Sequence, residues 1–338
     1  MMYKRTLITD EPFEFEAGGR LEYLTIAYHT SKEAFVPGDK VIVICHALTA
    51  NSDAEEWWPQ LVGPGKLLDT QKYFILCVNM IGSPYGSSGP ASLKDEGTPY
   101  YFDFPKVTVR DMIRASILVR KHLGVGYVDL LVGSSIGGFQ AFEWAVMEPD
   151  IIRNVAFMAT APRASAWLSS TMEAQRMALE ADGTFRECKS LDGGKEGLKA
   201  ARAQALISYR GYDGYCLTQS EPDEDTLFAG RVASYERYQG EKLARRFDAY
   251  SYYYLTYAVD SNNVGRGRGG VEKALSSIKA KTIVVSIDSD LLFPPKETRV
   301  WAGFIPGASY YEIKSQFAHD GFLLEWEQIT GIIKPVLE

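Results

Sequence analysis

Ser135 sits in Gly133-Ser134-Ser135-Ile136-Gly137, a G-x-S-x-G spacing, between an apolar run over 127–132 and a helix-compatible segment over 139–147. A serine on so sharp a strand-to-helix turn needs a strained backbone, and only neighbours with little or no side chain leave room for it. The turn lifts Oγ above the sheet and aims the following backbone N–H groups at whatever Oγ attacks. The chemistry such a residue performs is attack on an acyl carbon, once a base has taken its proton. A purely structural glycine-rich turn shares the five-letter pattern. The strand before it and the helix after it favour the chemical reading.

A base must therefore be found among four histidines. On the α/β-hydrolase plan the chain order is nucleophile, acid, histidine, and only His319 follows Ser135. His29 ends a strand run and reads as structural, and His122 lies late in a helix, where it suits the dipole. His46, in Cys45-His46-Ala47-Leu48-Thr49, follows a strand and fits the loop that supplies a second oxyanion N–H, its imidazole bracing that loop. The acid must orient the imidazole and stabilise its cation. Asp288 and Asp290 both end the strand run 282–287, and position alone does not separate them. Asp290 opens a turn-prone loop, Asp290-Leu291-Leu292-Phe293-Pro294-Pro295, which tilts the choice toward it without closing it.

The elements that must carry these residues can be read from periodicity. Strand runs fall at 21–29, 40–45, 73–80, 127–133, 155–159, 282–287 and 309–313. A helix over 107–123 follows from apolar residues at Val109, Met112, Ile113, Ile117 and Leu123, ending at Gly124. Strands alternating with helices predict an α/β fold, a mostly parallel sheet with helices on both faces and chemistry beyond the C-terminal strand ends. Between 161 and 270 strong strand runs stop, and helix formers recur at 172–181, 197–209 and 225–240. Because the sheet resumes near Lys281, we read 161–270 as a helical lid inserted in a core formed by 1–160 and 271–338. Gly265-Arg266-Gly267-Arg268-Gly269-Gly270 would be its return loop, read as a solvated turn rather than a phosphate grip.

Bulk properties narrow the class. The chain has 338 residues with 36 basic and 43 acidic side chains, a net charge of −7, which argues against nucleic acid as the main partner. The charged N-terminus has no apolar core of a signal peptide, and no run of about 18 apolar residues predicts a membrane span. Cys45, Cys77, Cys188 and Cys216 are scattered without C-x-x-C spacing, and Cys45 and Cys77 lie in apolar runs as buried thiols. A cytoplasmic, reduced protein is expected. No metal or bound cofactor is implied, since no His/Cys/Asp cluster has ligand spacing.

Nearly end to end, the chain resembles the homoserine O-acetyltransferase family of the α/β-hydrolase superfamily. The resemblance is carried by His46-Ala47-Leu48-Thr49, Gly63-Pro64-Gly65-Lys66, Tyr85-Gly86-Ser87-Ser88-Gly89-Pro90 and Gly137-Gly138-Phe139-Gln140-Ala141-Phe142-Glu143-Trp144-Ala145. It continues through Ala201-Arg202, Arg246-Phe247-Asp248-Ala249, Ser289-Asp290-Leu291-Leu292-Phe293-Pro294-Pro295 and His319-Asp320-Gly321-Phe322. The elbow has Ser134 and Ile136 where the family pattern has Gly and Met, and Tyr250 replaces an Asn.

The resemblance implies a Ser135–His319–Asp290 triad, an oxyanion hole from the Leu48 and Ile136 N–H groups, Arg202 on the amino acid's carboxylate and Asp320 on its α-amino group. It further implies acetyl-CoA as co-substrate, L-homoserine as acceptor and a homodimer through the lid. Tyrosines between 250 and 257 would serve either that interface or the lid core. The alternatives within this chemistry are a succinyl-CoA or serine-type acyltransferase and an α/β-hydrolase esterase.

Overall fold

The computed structural model describes residues 2–338. The chain begins with β1 (Tyr3–Ile8), the short pair β2 (Phe13–Glu14) and β3 (Arg20–Leu21), then β4 (Thr25–Thr30) and β5 (Val41–Cys45). Next come α1 (Ala54–Trp57), β6 (Phe74–Val78), α2 (Val109–His122), β7 (Leu130–Ser134), α3 (Ile136–Met147) and β8 (Asn154–Met158). Four helices follow: α4 (Ala166–Glu180), α5 (Lys195–Gln219), α6 (Gly230–Ala244) and α7 (Ala249–Asp260). The chain closes with α8 (Val271–Leu275), β9 (Lys281–Ile287), α9 (Pro295–Ala302), β10 (Ser309–Ile313), α10 (Gly321–Leu324) and α11 (Trp326–Leu337).

Eight strands form one sheet in the order β1-β4-β6-β5-β7-β8-β9-β10. β1–β4 and β4–β6 are antiparallel, and every other pair is parallel. Period-2 alternation divides the side chains between two apolar layers. In β5, Val41, Val43 and Cys45 enter one core, with α2 and α3, while Ile42 and Ile44 enter the other, with Trp58 and α11. A strand buried on both faces reads as a continuous apolar run, which is why β5 to β9 were legible. β1 was not. It lies at the sheet edge, none of its residues is buried, and Lys4 and Arg5 break its apolar pattern.

α2 starts on a reciprocal capping box. Thr108 accepts from the Asp111 N–H at 3.2 Å, and Asp111 accepts from the Thr108 N–H at 3.1 Å. Its last turn carries Arg120, Lys121 and His122, charges that suit a helix C-terminus.

The helices α4 to α7 lie between β8 and β9 and pack on one another, α4 against α5 and α7, and α5 against α6. The two ends of this segment are tied together: Ala164 N–H donates to Asn262 O, Val264 N–H to Pro162 O, and Asn262 Nδ2 to Ala161 O, each at 2.9 Å. The turn at 265–270 differs from the solvated loop expected. Arg268 pairs with the buried Glu143 at 2.7 Å, and Arg266 pairs with Glu16 at 2.8 Å. Arg110 bridges both carboxylates, at 2.7 Å from Glu16 and 3.3 Å from Glu143. These arginines clamp the segment's exit to α2 and α3, so neither is free for a phosphate.

Three of the five tyrosines of α7 belong to the interior. Tyr250, Tyr252 and Tyr254 are buried, and each phenol has a partner: Phe185 O at 2.8 Å, Gln175 Oε1 at 2.6 Å and Phe104 O at 2.7 Å respectively. Tyr253 and Tyr257 stay half-buried, so the lid-core reading holds for three of the five tyrosines between 250 and 257.

Candidate active site

The close contacts around Ser135 explain why its neighbours are glycines. A Cβ on Gly133 would meet Gly137 O at 2.2 Å, and one on Gly137 would meet Cys45 O at 2.1 Å. Both clashes involve backbone, so the turn can hug β5 only without side chains there. Ser135 has φ 57° and ψ −129°, a conformation costly for an L residue. It is held there from three sides. Its N–H donates to Ala159 O at 3.1 Å, its carbonyl accepts from the Thr160 hydroxyl at 2.8 Å, and the Gly138 N–H donates to the same carbonyl at 2.9 Å.

His319 comes from the loop after β10, in a short 3₁₀ turn at Ala318–Asp320. Its Nε2 lies 3.0 Å from Ser135 Oγ, and its Nδ1 lies 2.8 Å from Asp290 Oδ2. A carboxylate only accepts, so Nδ1 carries the proton and Nε2 is left to accept from the serine hydroxyl. Asp290 uses its other oxygen to receive the Leu292 and Phe293 N–H groups, at 2.8 and 3.1 Å. Asp288, the competing candidate, is turned away. It pairs with Lys314 at 3.2 Å and accepts the Ser315 N–H at 3.0 Å. The imidazole is walled by Phe293, Phe322 and Tyr209.

Leu48 and Ile136 line the same narrow pocket as Ser135, together with Phe139, Leu168, Met172, Tyr209, Val259, Leu292 and Phe293. Ile136 is the first residue of α3, where a backbone N–H has no intrahelical acceptor and faces the helix N-terminal field. Leu168, Met172, Tyr209 and Val259 come from the α4–α7 segment, which thus covers the serine. A wider hollow between Tyr23, Ser83 and Tyr100 has no histidine in its wall.

His46 is fully buried under the Leu48 turn. Its Nδ1 donates to Ala47 O at 2.9 Å and its Nε2 accepts the Met80 N–H at 3.2 Å. Burial lowers its pKa to about 4, so the ring is neutral and both nitrogens are spent on backbone. His29 bonds Ser52 at 2.6 Å, and His122 is exposed at the end of α2.

Asp320 lies beside the base and is largely buried, its side chain 17% exposed. Burial raises its pKa, opposed by His319, Arg210 and Arg202 in that order. Arg202, on α5, stacks 5.7 Å from the Tyr209 ring centroid. Two contributions to this surround had no reading from sequence. Arg210 donates to Asp320 at 3.2 Å, and Arg246 reaches from the helical segment to Thr49 O and Tyr85 Oη beside the Leu48 turn. A signal existed for Arg210: eight residues after Arg202 on one helix, it falls near the same face. Among the described residues, no group of three or more His, Cys, Asp or Glu side chains converges as metal ligands, and no helix is long and apolar enough to cross a membrane.

Comparison with known proteins places this geometry. A family model described as alpha/beta hydrolase fold matches residues 40–325. The homoserine O-acetyltransferase of Cyclobacterium marinum is 40% identical over 336 residues, covering 98% of this chain and 95% of its own. The crystal structure of homoserine O-acetyltransferase from Bacillus anthracis superposes with a TM-score of 0.91 at 24% identity, covering 100% of this chain and 98% of that one. Esterase E22 superposes with a TM-score of 0.88 at 22% identity, covering all of both chains, a likeness of fold alone. A full-length match at this identity, on this fold, is decisive: the chain belongs to the homoserine O-acetyltransferase family of alpha/beta hydrolases.

Proposed function

We propose that this protein transfers an acetyl group from acetyl-CoA to the hydroxyl of L-homoserine by a ping-pong route through acetyl-Ser135. His319 Nε2 takes the Ser135 proton as Oγ attacks the thioester carbon. The oxyanion is received by the Leu48 and Ile136 N–H groups, each such donor being worth about 3–4 kcal/mol. Collapse breaks the C–S bond, and His319 returns its proton to the leaving thiolate. The homoserine hydroxyl then gives its proton to His319 and attacks the acetyl carbon. The second collapse releases O-acetyl-L-homoserine and reprotonates Ser135. Asp290 stabilises the imidazolium at both stages. Residues 161–270 act as a lid that excludes water from the acyl-enzyme, and CoA is a co-substrate rather than a bound cofactor.

The observation that carries this reading over ester hydrolysis is the charged pair beside the base. A hydrolase needs no such pair, whereas an amino-acid acceptor has a carboxylate for Arg202, a planar fork suited to two oxygens, and an ammonium for Asp320. The pocket at Ser135 supports acetyl over succinyl, since its lining is apolar with no cation among the described residues.

CoA release should be measured with acetyl-CoA or succinyl-CoA, each crossed with homoserine, serine or water alone. Only acetyl-CoA with homoserine is expected to turn over rapidly; thioester consumption that ignores homoserine would reject the transferase. Arg202→Ala should raise the homoserine KM about tenfold or more while acetyl-enzyme still forms.

We also propose a homodimer. With Tyr250, Tyr252 and Tyr254 internal, its support is the exposed apolar set Ile207, Tyr212 and Leu217 on α5 with Leu227 and Phe228 after it. Sedimentation velocity at micromolar protein should show a dimer that Phe228→Asp weakens; a wild-type monomer would remove this assignment.

A further inference from the structure

Asp320 has a partner that the proposed reaction does not use. Arg210 donates from Nε to Asp320 Oδ2 at 3.2 Å, and its guanidinium lies 5.2 Å from the centroid of the Tyr235 ring on α6. Among the described residues, no protein donor reaches the other oxygen, Oδ1, within hydrogen-bond distance. The carboxylate is therefore half-engaged. One oxygen is fixed by a cation, and one is left for a ligand.

The backbone is built to bring Arg210 there. α5 breaks immediately after it, at Gly211, with φ 65° and ψ 174°, a region closed to residues with a side chain. A Cβ on Gly211 would meet the Ala318 Cβ at 2.9 Å, and one on Gly214 would meet Gln316 O at 3.1 Å. The broken helix thus lies directly on the loop that carries His319 and Asp320. A straight helix with side chains at these two positions would stand off from that loop.

We propose that Arg210 is a positioning residue for acceptor recognition: it holds one oxygen of Asp320, keeps the carboxylate ionised, and so makes the enzyme select alcohols that carry an α-ammonium group. This rests on the assignment of Asp320 as the ammonium contact. The physical need is specific. A carboxyl buried beside a histidine drifts toward its neutral form, and a neutral acid binds an ammonium poorly. The groups that face Asp320 are His319 on its own turn, Arg202, Tyr209 and Arg210 from α5, and Tyr235 from α6. Arg210 alone among them makes a direct hydrogen bond to it.

The test uses full-length Arg210→Gln, Arg210→Lys and Asp320→Asn, each with acetyl-CoA and either homoserine or γ-hydroxybutyrate, the same alcohol without the amino group. Arg210→Gln should retain the burst of CoA release, raise the homoserine KM about tenfold or more, and collapse the preference for homoserine over the deaminated alcohol. Its acid limb for the acceptor step should move to higher pH than the acid limb of the burst. The burst serves as reference because His319 titrates in both. Arg210→Lys, which keeps the charge, should return that limb toward wild type.

Equal losses for both acceptors, an unchanged homoserine KM, or a burst slowed as much as transfer would each overturn the proposal. If Asp320→Asn removes the amino-group preference and Arg210→Gln does not, the role of Arg210 alone is overturned. If Asp320→Asn also leaves the preference intact, the ammonium assignment falls and takes this proposal with it.

Discussion

Ser135→Ala is expected to abolish acetyl-enzyme formation and to lower transfer by roughly 10⁴- to 10⁶-fold. The size follows from what remains. Without Oγ, His319 Nε2 has no protein nucleophile to deprotonate, and homoserine would have to attack the thioester directly from a site arranged for the acetyl-serine. The Leu48 and Ile136 N–H groups would still polarise the carbonyl, so a residual rate above the uncatalysed one is expected. The variant should fold, because alanine carries the same Cβ into the same φ of 57°, and the bonds that impose that conformation are to the backbone of residue 135. A thermal midpoint close to wild type would establish this. Mass spectrometry after mixing with acetyl-CoA should then show no adduct, against a stoichiometric one in wild type. Transfer at near-normal rate by Ser135→Ala would mean that homoserine attacks acetyl-CoA in a single displacement, and the covalent route would be withdrawn.

How much of this was legible beforehand depended on the kind of signal each part leaves. Strands buried on both faces announce themselves as apolar runs, and the glycines around Ser135 announce a close approach of backbones, here to β5 and to the turn itself. The sequential order of nucleophile and base needed no coordinates. What residue types could not separate was Asp288 from Asp290, because both end one strand, and the difference lies in where a two-residue turn points each carboxylate. The resemblance chose between them; the contacts of Lys314 and Ser315 with Asp288 give the physical reason. The arginines of 265–270 were misread because a Gly/Arg-rich string is locally indistinguishable from a solvated turn. Their partners, Glu16 and Glu143, lie more than a hundred residues away in sequence. The same holds for Arg210, 110 residues from Asp320. Long-range ion pairs leave no periodicity of their own, and for Arg210 the sequence offers only its spacing from Arg202 along one helix.

Asp290→Asn should be nearly as damaging as loss of the nucleophile, about 10⁴-fold in turnover, for a reason fixed by hydrogen-bond direction. One oxygen of residue 290 is held by two backbone donors, Leu292 and Phe293. In the asparagine variant those donors retain the amide oxygen, which forces the NH₂ group into the place now occupied by Oδ2, 2.8 Å from His319 Nδ1. Two donors cannot share that contact, so the imidazole takes the other tautomer, with its proton on Nε2. Such a ring can no longer accept from Ser135 Oγ at 3.0 Å or, later, from the acceptor hydroxyl. Both half-reactions should therefore slow, which separates this lesion from Arg202→Ala, where only the acceptor step suffers. Asp288→Asn is the control. Its carboxylate serves Lys314 and the Ser315 backbone, so that variant should keep turnover within several-fold of wild type while losing at most about 1–2 kcal/mol of stability. If pre-steady-state CoA release were slowed by Asp288→Asn and spared by Asp290→Asn, the imidazole would be taking its orientation from the wrong strand-end carboxylate, and the proton path drawn here would have to be rebuilt.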